Sequence, residues 1–150
     1  MRAIILKNLY QWSLIPYQSL KRRVAWGIDT HTLLGYPTGT LGHALGIFLK
    51  AHHFTLQRKL ESHDVFHVLT NTGASVPEEI GMQFYLFGNG KRSMYLFSVL
   101  LSGTLLYPDR LPYLYKQWKR GKNALQFHQL DFYKLLDQPL ERIKSTFLIQ

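Results

Sequence analysis

Two histidines and a glutamate hold the clearest chemical signal in the chain. His63 and His67 stand four residues apart, and Glu79 follows after eleven more. On an α-helix, positions i and i+4 lie one turn apart on the same face, so the two imidazoles can grip a single divalent cation. Asp64 lies at the flank of that face. The spacing predicts a site of two imidazoles and two carboxylates: His63, Asp64, His67 and Glu79. The two histidines and Glu79 rank above Asp64 as ligands, because either carboxylate can instead be an outer partner that orients a ring. Four of the nine acidic residues, Glu61, Asp64, Glu78 and Glu79, fall in this short stretch of a chain whose formal net charge is +9. Acidity concentrated in a basic chain is what a cation site requires. With no cysteine in the chain, the donors are nitrogen and oxygen, which suit Zn²⁺, Fe²⁺ or Mn²⁺ better than Ca²⁺. A remaining open coordination position would accept water or substrate.

These residues need two helices folded back on each other. A helix over 55–71 would present the imidazoles, with Leu56, Leu60, Val65, Val68 and Leu69 facing inward. Asn71-Thr72-Gly73-Ala74-Ser75 is a turn signal. Ser75-Val76-Pro77-Glu78 is a helix start, with Ser75 as N-cap, a proline in the first turn and Glu78 closing a capping box. Glu79 then opens a helix over 77–87 that ends at Gly88-Asn89-Gly90. A tight αα-hairpin brings its carboxylate back to His67.

Further helices are expected over 41–53, 91–107, 108–121 and 123–136, with a short last one over 139–147. Thr40 is the N-cap of 41–53, and Gly42 and Gly46 permit the close approach of another element or a ligand. The 14-residue apolar stretch 94–107 is shorter than the ~20 residues a membrane span needs. It is therefore expected as a buried helix at the centre of the core. Upstream, 3–15 and 17–26 read as helices separated by Pro16, and aromatics beside Lys21, Arg22 and Arg23 suit a membrane interface. The apolar run after Met1-Arg2 is four residues long, too short for a secretory signal. No hairpin-forming strand pattern occurs. The fold class is all-α, a single-domain helical bundle over 1–150.

Three sets of residues resemble one family. His63-Asp64-Val65-Phe66-His67 followed by Glu79 is similar to the HDxxH-x11-E signature of the Coq-four family of coenzyme Q (ubiquinone) biosynthesis proteins. Pro37-Thr38-Gly39-Thr40-Leu41-Gly42 resembles a second segment of that family, and Pro139 to Lys144 resembles its C-terminal helix. The resemblance implies His63, Asp64, His67 and Glu79 as metal-binding and catalytic residues, with zinc ahead of iron or manganese. It implies action on the carboxylated head group of a polyprenyl-hydroxybenzoate, by decarboxylation and hydroxylation at C1. The prenyl tail then needs an apolar lipid channel, for which helices 41–53 and 91–107 are the expected walls. The partners expected are a prenylated aromatic or other isoprenoid lipid, a membrane surface and other quinone-biosynthesis enzymes, in a homo-oligomer. The location expected is cytoplasmic and peripheral to the inner membrane, or the matrix side of the mitochondrial inner membrane.

Two other functions compete. A non-catalytic prenyl-lipid-binding or scaffold protein would use the metal only to staple the hairpin. A metal phosphohydrolase would need further ligands, for which His31, His43 and His128 are available. Nucleic-acid binding has only the charge in its favour and no recognition motif. No flavin or nicotinamide fingerprint is present.

Overall fold

The protein is described by a computed structural model, covering residues 25–150 apart from 57 and 59. The expected helices over 3–15 and 17–26 lie outside the described residues, except that Ala25 and Trp26 are not helical. Seven α-helices follow in order: α1 (Thr30–Leu34), α2 (Leu41–Ala51), α3 (Glu61–Thr70), α4 (Val76–Gly88), α5 (Met94–Leu106), α6 (Leu111–Asn123) and α7 (Leu140–Thr146). Short 3-10 turns at Pro108–Arg110 and Phe132–Leu135 complete the described residues, which contain no strand. The fold is all-α.

The start of α2 follows from Thr40. Its hydroxyl accepts from the His43 amide at 3.3 Å, the arrangement expected of an N-cap. Other amides at this helix end are satisfied from the far end of the chain. Leu41 N–H donates to Gln138 O and Gly42 N–H to Leu136 O, at 2.9 and 2.8 Å. A side chain at Gly42 would stand 2.9 Å from that Leu136 carbonyl, and one at Gly46 would meet the backbone of Leu34 at 2.9 Å. Gly42 and Gly46 thus admit protein neighbours, the segment before α7 and the end of α1. Leu41, Leu45 and Leu49 then form a fully buried stripe at helical spacing.

Helix α3 is shorter than the sequence predicts. It begins at Glu61, and its first turn contains Glu61 and Asp64, whose charge suits a helix N-terminus. The cation of Arg58 would oppose the helix dipole there. The turn after α3 is as expected. Asn71 takes the left-handed conformation at φ 52° and closes the helix, a conformation asparagine tolerates better than most residues. Helix α4 starts with the Ser75/Glu78 capping box and Pro77 in its first turn. Its main partner is α6. Gly88 lies against the Trp118 backbone and Gly121 against that of Tyr85, so the two helices approach at a distance only glycine allows.

Two expectations are corrected. The apolar stretch forms α5, but α5 is not the centre of the core. Only Leu96 and Gly103 of it are buried, while Met94, Leu101 and Leu105 are 82%, 66% and 70% exposed. The core instead lies among α2, Val65, Phe66 and Leu69 of α3, and Met82, Tyr85 and Leu86 of α4. Nor is 123–136 a helix. Past Asn123 the chain runs without helical bonds to the 3-10 turn at Phe132, with Phe127 and Phe132 buried. Asn89 makes this possible. Its carboxamide donates to Leu125 O at 2.9 Å and accepts from Phe127 N at 3.1 Å, replacing bonds a helix would have supplied.

Candidate metal centre

The site is built where α3 and α4 face each other across the turn 71–75. Nε2 of His63 and Nε2 of His67 stand 3.3 Å apart. Glu79 reaches both from the first turn of α4, with Oε2 at 3.2 Å from His63 Nε2 and Oε1 at 3.0 Å from His67 Nε2. The three residues offer ligand atoms that all lie within 4.8 Å of one another. On a tetrahedral ion with bonds of about 2.0–2.1 Å, neighbouring donors stand ~3.3 Å apart. The observed spacings of 3.0 to 3.3 Å are therefore close to the edges of one face of such a tetrahedron.

The outer nitrogen of His67 indicates which atom is free to bind. Nδ1 lies 3.2 Å from the carbonyl of Thr72, which can only accept. Nδ1 donates to that carbonyl, the shorter of its contacts with Thr72, whose hydroxyl stands at 3.4 Å, and the lone pair of a neutral ring is then on Nε2, facing His63 and Glu79. A lone pair aimed at a carboxylate is repulsive unless a proton or a cation stands between them. A carbonyl that fixes the tautomer of a ligand histidine is the usual outer support of a metal site. The support is itself braced. The Thr72 hydroxyl is 2.9 Å from that of Thr70, which donates to Phe66 O at 2.7 Å. On its face, the ring of His67 stacks against Phe48 of α2 at 5.2 Å.

The site has a closed side and an open one. His67 is 2% exposed, whereas the side chains of His63 and Glu79 are 19% and 34% exposed. Burial opposes ionisation of Glu79, but its hydrogen bonds to His63 and His67 and their charges outweigh that and hold its pKa down to about 2. Burial likewise opposes a charge on His67, yet the bond to Glu79 and its charge raise the pKa above the ordinary imidazole value. Asp64 behaves differently. Burial pushes its pKa up to about 6, against the pull of His63 and His67.

Of the four residues the spacing singles out, the structure brings three together. His63, His67 and Glu79 form the convergent set, while Asp64 stands outside it, within electrostatic reach of all three. Among the described residues no other group of His, Asp and Glu converges in this way. His31, His43 and His128 therefore do not complete the ligand set of a phosphohydrolase. His128 faces Asn89 instead, at 3.3 Å. Sequence reasoning missed Thr72, Thr70 and Phe48. The two threonines follow His67 by three and five residues and read as turn and helix-end residues, while Phe48 reads as core.

Comparison with known proteins places the chain in a family. Residues 24–150 match the family described as Coenzyme Q (ubiquinone) biosynthesis protein Coq4. The mitochondrial ubiquinone biosynthesis protein COQ4 of Laccaria bicolor is 27% identical over 109 residues, covering 61% of this chain and 37% of that protein. The chain thus spans little more than a third of this relative's length. A crystal structure of a protein assigned to ubiquinone biosynthesis from Nostoc punctiforme superposes with a TM-score of 0.71. It is 18% identical and covers 86% of this chain and 72% of its own, a likeness of fold. With the match running over all the described residues, the chain belongs to the Coq4 family of coenzyme Q (ubiquinone) biosynthesis proteins.

Proposed function

We propose that this chain is a metal-dependent enzyme of ubiquinone biosynthesis that exchanges the C1 carboxyl of a polyprenyl-hydroxybenzoate for hydroxyl. The observation that supports the reading is the convergence of His63, His67 and Glu79, with the tautomer of His67 fixed by Thr72. These three residues would hold the cation, and Asp64 would steady the positive side of the site from outside the set. A divalent cation bound there supplies a Lewis acid that polarises the carboxylate or phenolic oxygens of the head group. Zinc fits two imidazoles and a carboxylate with an open position, and iron or manganese would use the same donors. Phe48 and the buried side of His67 exclude water behind the ring, and the exposed edges of His63 and Glu79 leave the approach. The exchange is oxidative. The C1–carboxyl bond breaks and CO₂ leaves, a hydroxyl from water enters at C1, and dioxygen takes up the two electrons and two protons as hydrogen peroxide.

The same proposal places the chain on a membrane surface. Met94, Leu101 and Leu105 are exposed along one face of α5. An apolar groove of about 500 Å³ continues that surface, lined by Phe84, Phe87, Leu111, Leu114, Tyr115 and Trp118. Phe97 of α5 meets Phe87 of the groove at 6.1 Å. Phe84 follows Glu79 by five residues, which is roughly 140° around α4 at 3.6 residues per turn. The groove therefore belongs to the outer surface and is not the way into the metal centre. Exposed Lys116, Lys119 and Lys122 on α6 suit anionic headgroups. Among the described residues no helix is long and apolar enough to cross a membrane.

Turnover of a prenylated hydroxybenzoate, followed by mass spectrometry of the quinol product, tests the assignment. Metal-loaded protein is expected to form product, and Glu79→Gln to lose activity by about 100-fold or more, the cost of disturbing a metal site. Binding of the prenyl lipid without turnover in the metal-loaded parent would favour the non-catalytic, lipid-holding reading.

A further inference from the structure

Gln83 has a buried carboxamide that the protein itself does not use fully. The residue is 2% exposed, and its Oε1 has no hydrogen-bond partner. Among the described residues only one other buried side-chain atom is in this state, the hydroxyl of Tyr85. Buried acceptors are nearly always paired, because leaving one unpaired forfeits its hydration with no return.

The two orphans sit in different surroundings. Tyr85 lies under the guanidinium of Arg120 at 5.3 Å and packs on the α6 side, where its backbone meets Gly121. Gln83 follows Glu79 by four residues, so it lies on the same face of α4, one turn or ~6 Å further along the axis. Met82 and Leu86, from the same side of α4, are fully buried in the main core. Leucine or methionine would fill such a position without an unpaired oxygen.

We propose that Gln83 is a specificity-determining residue, whose Oε1 accepts a hydrogen bond from a ring hydroxyl of the substrate. The inference rests on the head-group reading given above and names the residue that reads the hydroxyl. A benzene ring with a carboxylate on one side and a hydroxyl on the other spans about the ~6 Å of one helical turn. A carboxylate directed to His63, His67 and Glu79 therefore leaves the hydroxyl at the level of Gln83. The carboxamide is neutral, so it reads the hydroxyl without competing for the cation. A site that hydrogen-bonds a hydroxyl rejects the analogue lacking it, since the buried acceptor is then unpaired.

The test uses full-length, metal-loaded protein and two ligands, a prenylated hydroxybenzoate and the same prenylated benzoate without the ring hydroxyl. Affinities are read by calorimetry for the parent, Gln83→Leu and Gln83→Glu. The parent is expected to prefer the hydroxylated ligand by about tenfold or more. Gln83→Leu should lose that preference with unchanged metal content and an unchanged or higher Tm. Gln83→Glu, which keeps an acceptor, should retain part of it. A preference that survives in Gln83→Leu, or an equal loss for both ligands, overturns the assignment alone. A lowered Tm in Gln83→Leu overturns it too, by showing that the carboxamide holds the fold. Parent protein that binds neither ligand overturns the head-group reading and this assignment with it.

Discussion

His67 is held on all sides, by Thr72 at Nδ1, by Glu79 at Nε2 and by Phe48 on its face. Its neighbour Asp64 is held by none of these, and the contrast has a consequence in metal-free protein. The folded-state pKa of Asp64 stands at about 6, above the ordinary 3.8. The folded state therefore binds that proton more tightly than the unfolded one. This contribution to stability is complete below about pH 3.8 and is lost as pH rises through about 6. Glu79 has the opposite sign, with its contribution present above 4.5 and lost as pH falls through about 2; parent and variant share it, so it drops out of their difference. Thermal unfolding of metal-free Asp64→Asn is expected to show a gain of about 2 kcal/mol over the parent at pH 7.5. The gain should shrink towards pH 4. Unfolding curves that keep the same offset at both pH values would show that the Asp64 carboxyl is not the group titrating. The spacing of His63, His67 and Glu79 made their convergence legible in the sequence because helical periodicity and a capping box fix their directions. Thr72 was not legible because it acts through its carbonyl, which every residue type carries.

The buried side of α2 was legible in the sequence, while the orientation of α5 was not, and α3 was read with a start six residues too early. The leucines of α2 recur every four residues, so their buried side is fixed by pattern. Helix α5 is apolar all round, and nothing in its sequence says which side faces in. Its position is decided by Gly103, against which Ile80 of α4 packs. The opposite side is left outward, with Leu101 and Leu105 in water. The segment 123–136 failed for another reason, since a single residue 34 positions upstream, Asn89, supplies its backbone with partners. The exposed side of α5 has a direct test in co-sedimentation with vesicles of phosphatidylcholine and cardiolipin. The parent is expected to bind and to dissociate partly at high salt. Leu101→Glu/Leu105→Glu is expected to lose about 2–3 kcal/mol of apolar burial, or roughly a 30- to 150-fold drop in partitioning. Equal sedimentation of parent and variant would assign α5 to some other contact.

On the scale of the whole molecule, the fold does one thing for the site. It sets two short helices side by side across five residues of turn, and it anchors both from behind. Arg120 of α6 donates to the Thr70 carbonyl at the end of α3 at 3.1 Å, and α6 packs along the length of α4. The family match covers all the described residues, and the superposition with the Nostoc protein persists at 18% identity, so the same fold is reached by widely different sequences. The most direct measurement is metal analysis of the purified chain and of a His63→Ala/His67→Ala double variant, with helicity followed by circular dichroism. The parent should hold about one zinc, iron or manganese per chain, and the variant should remain helical and hold none. A folded double variant with the metal content of the parent would contradict the account.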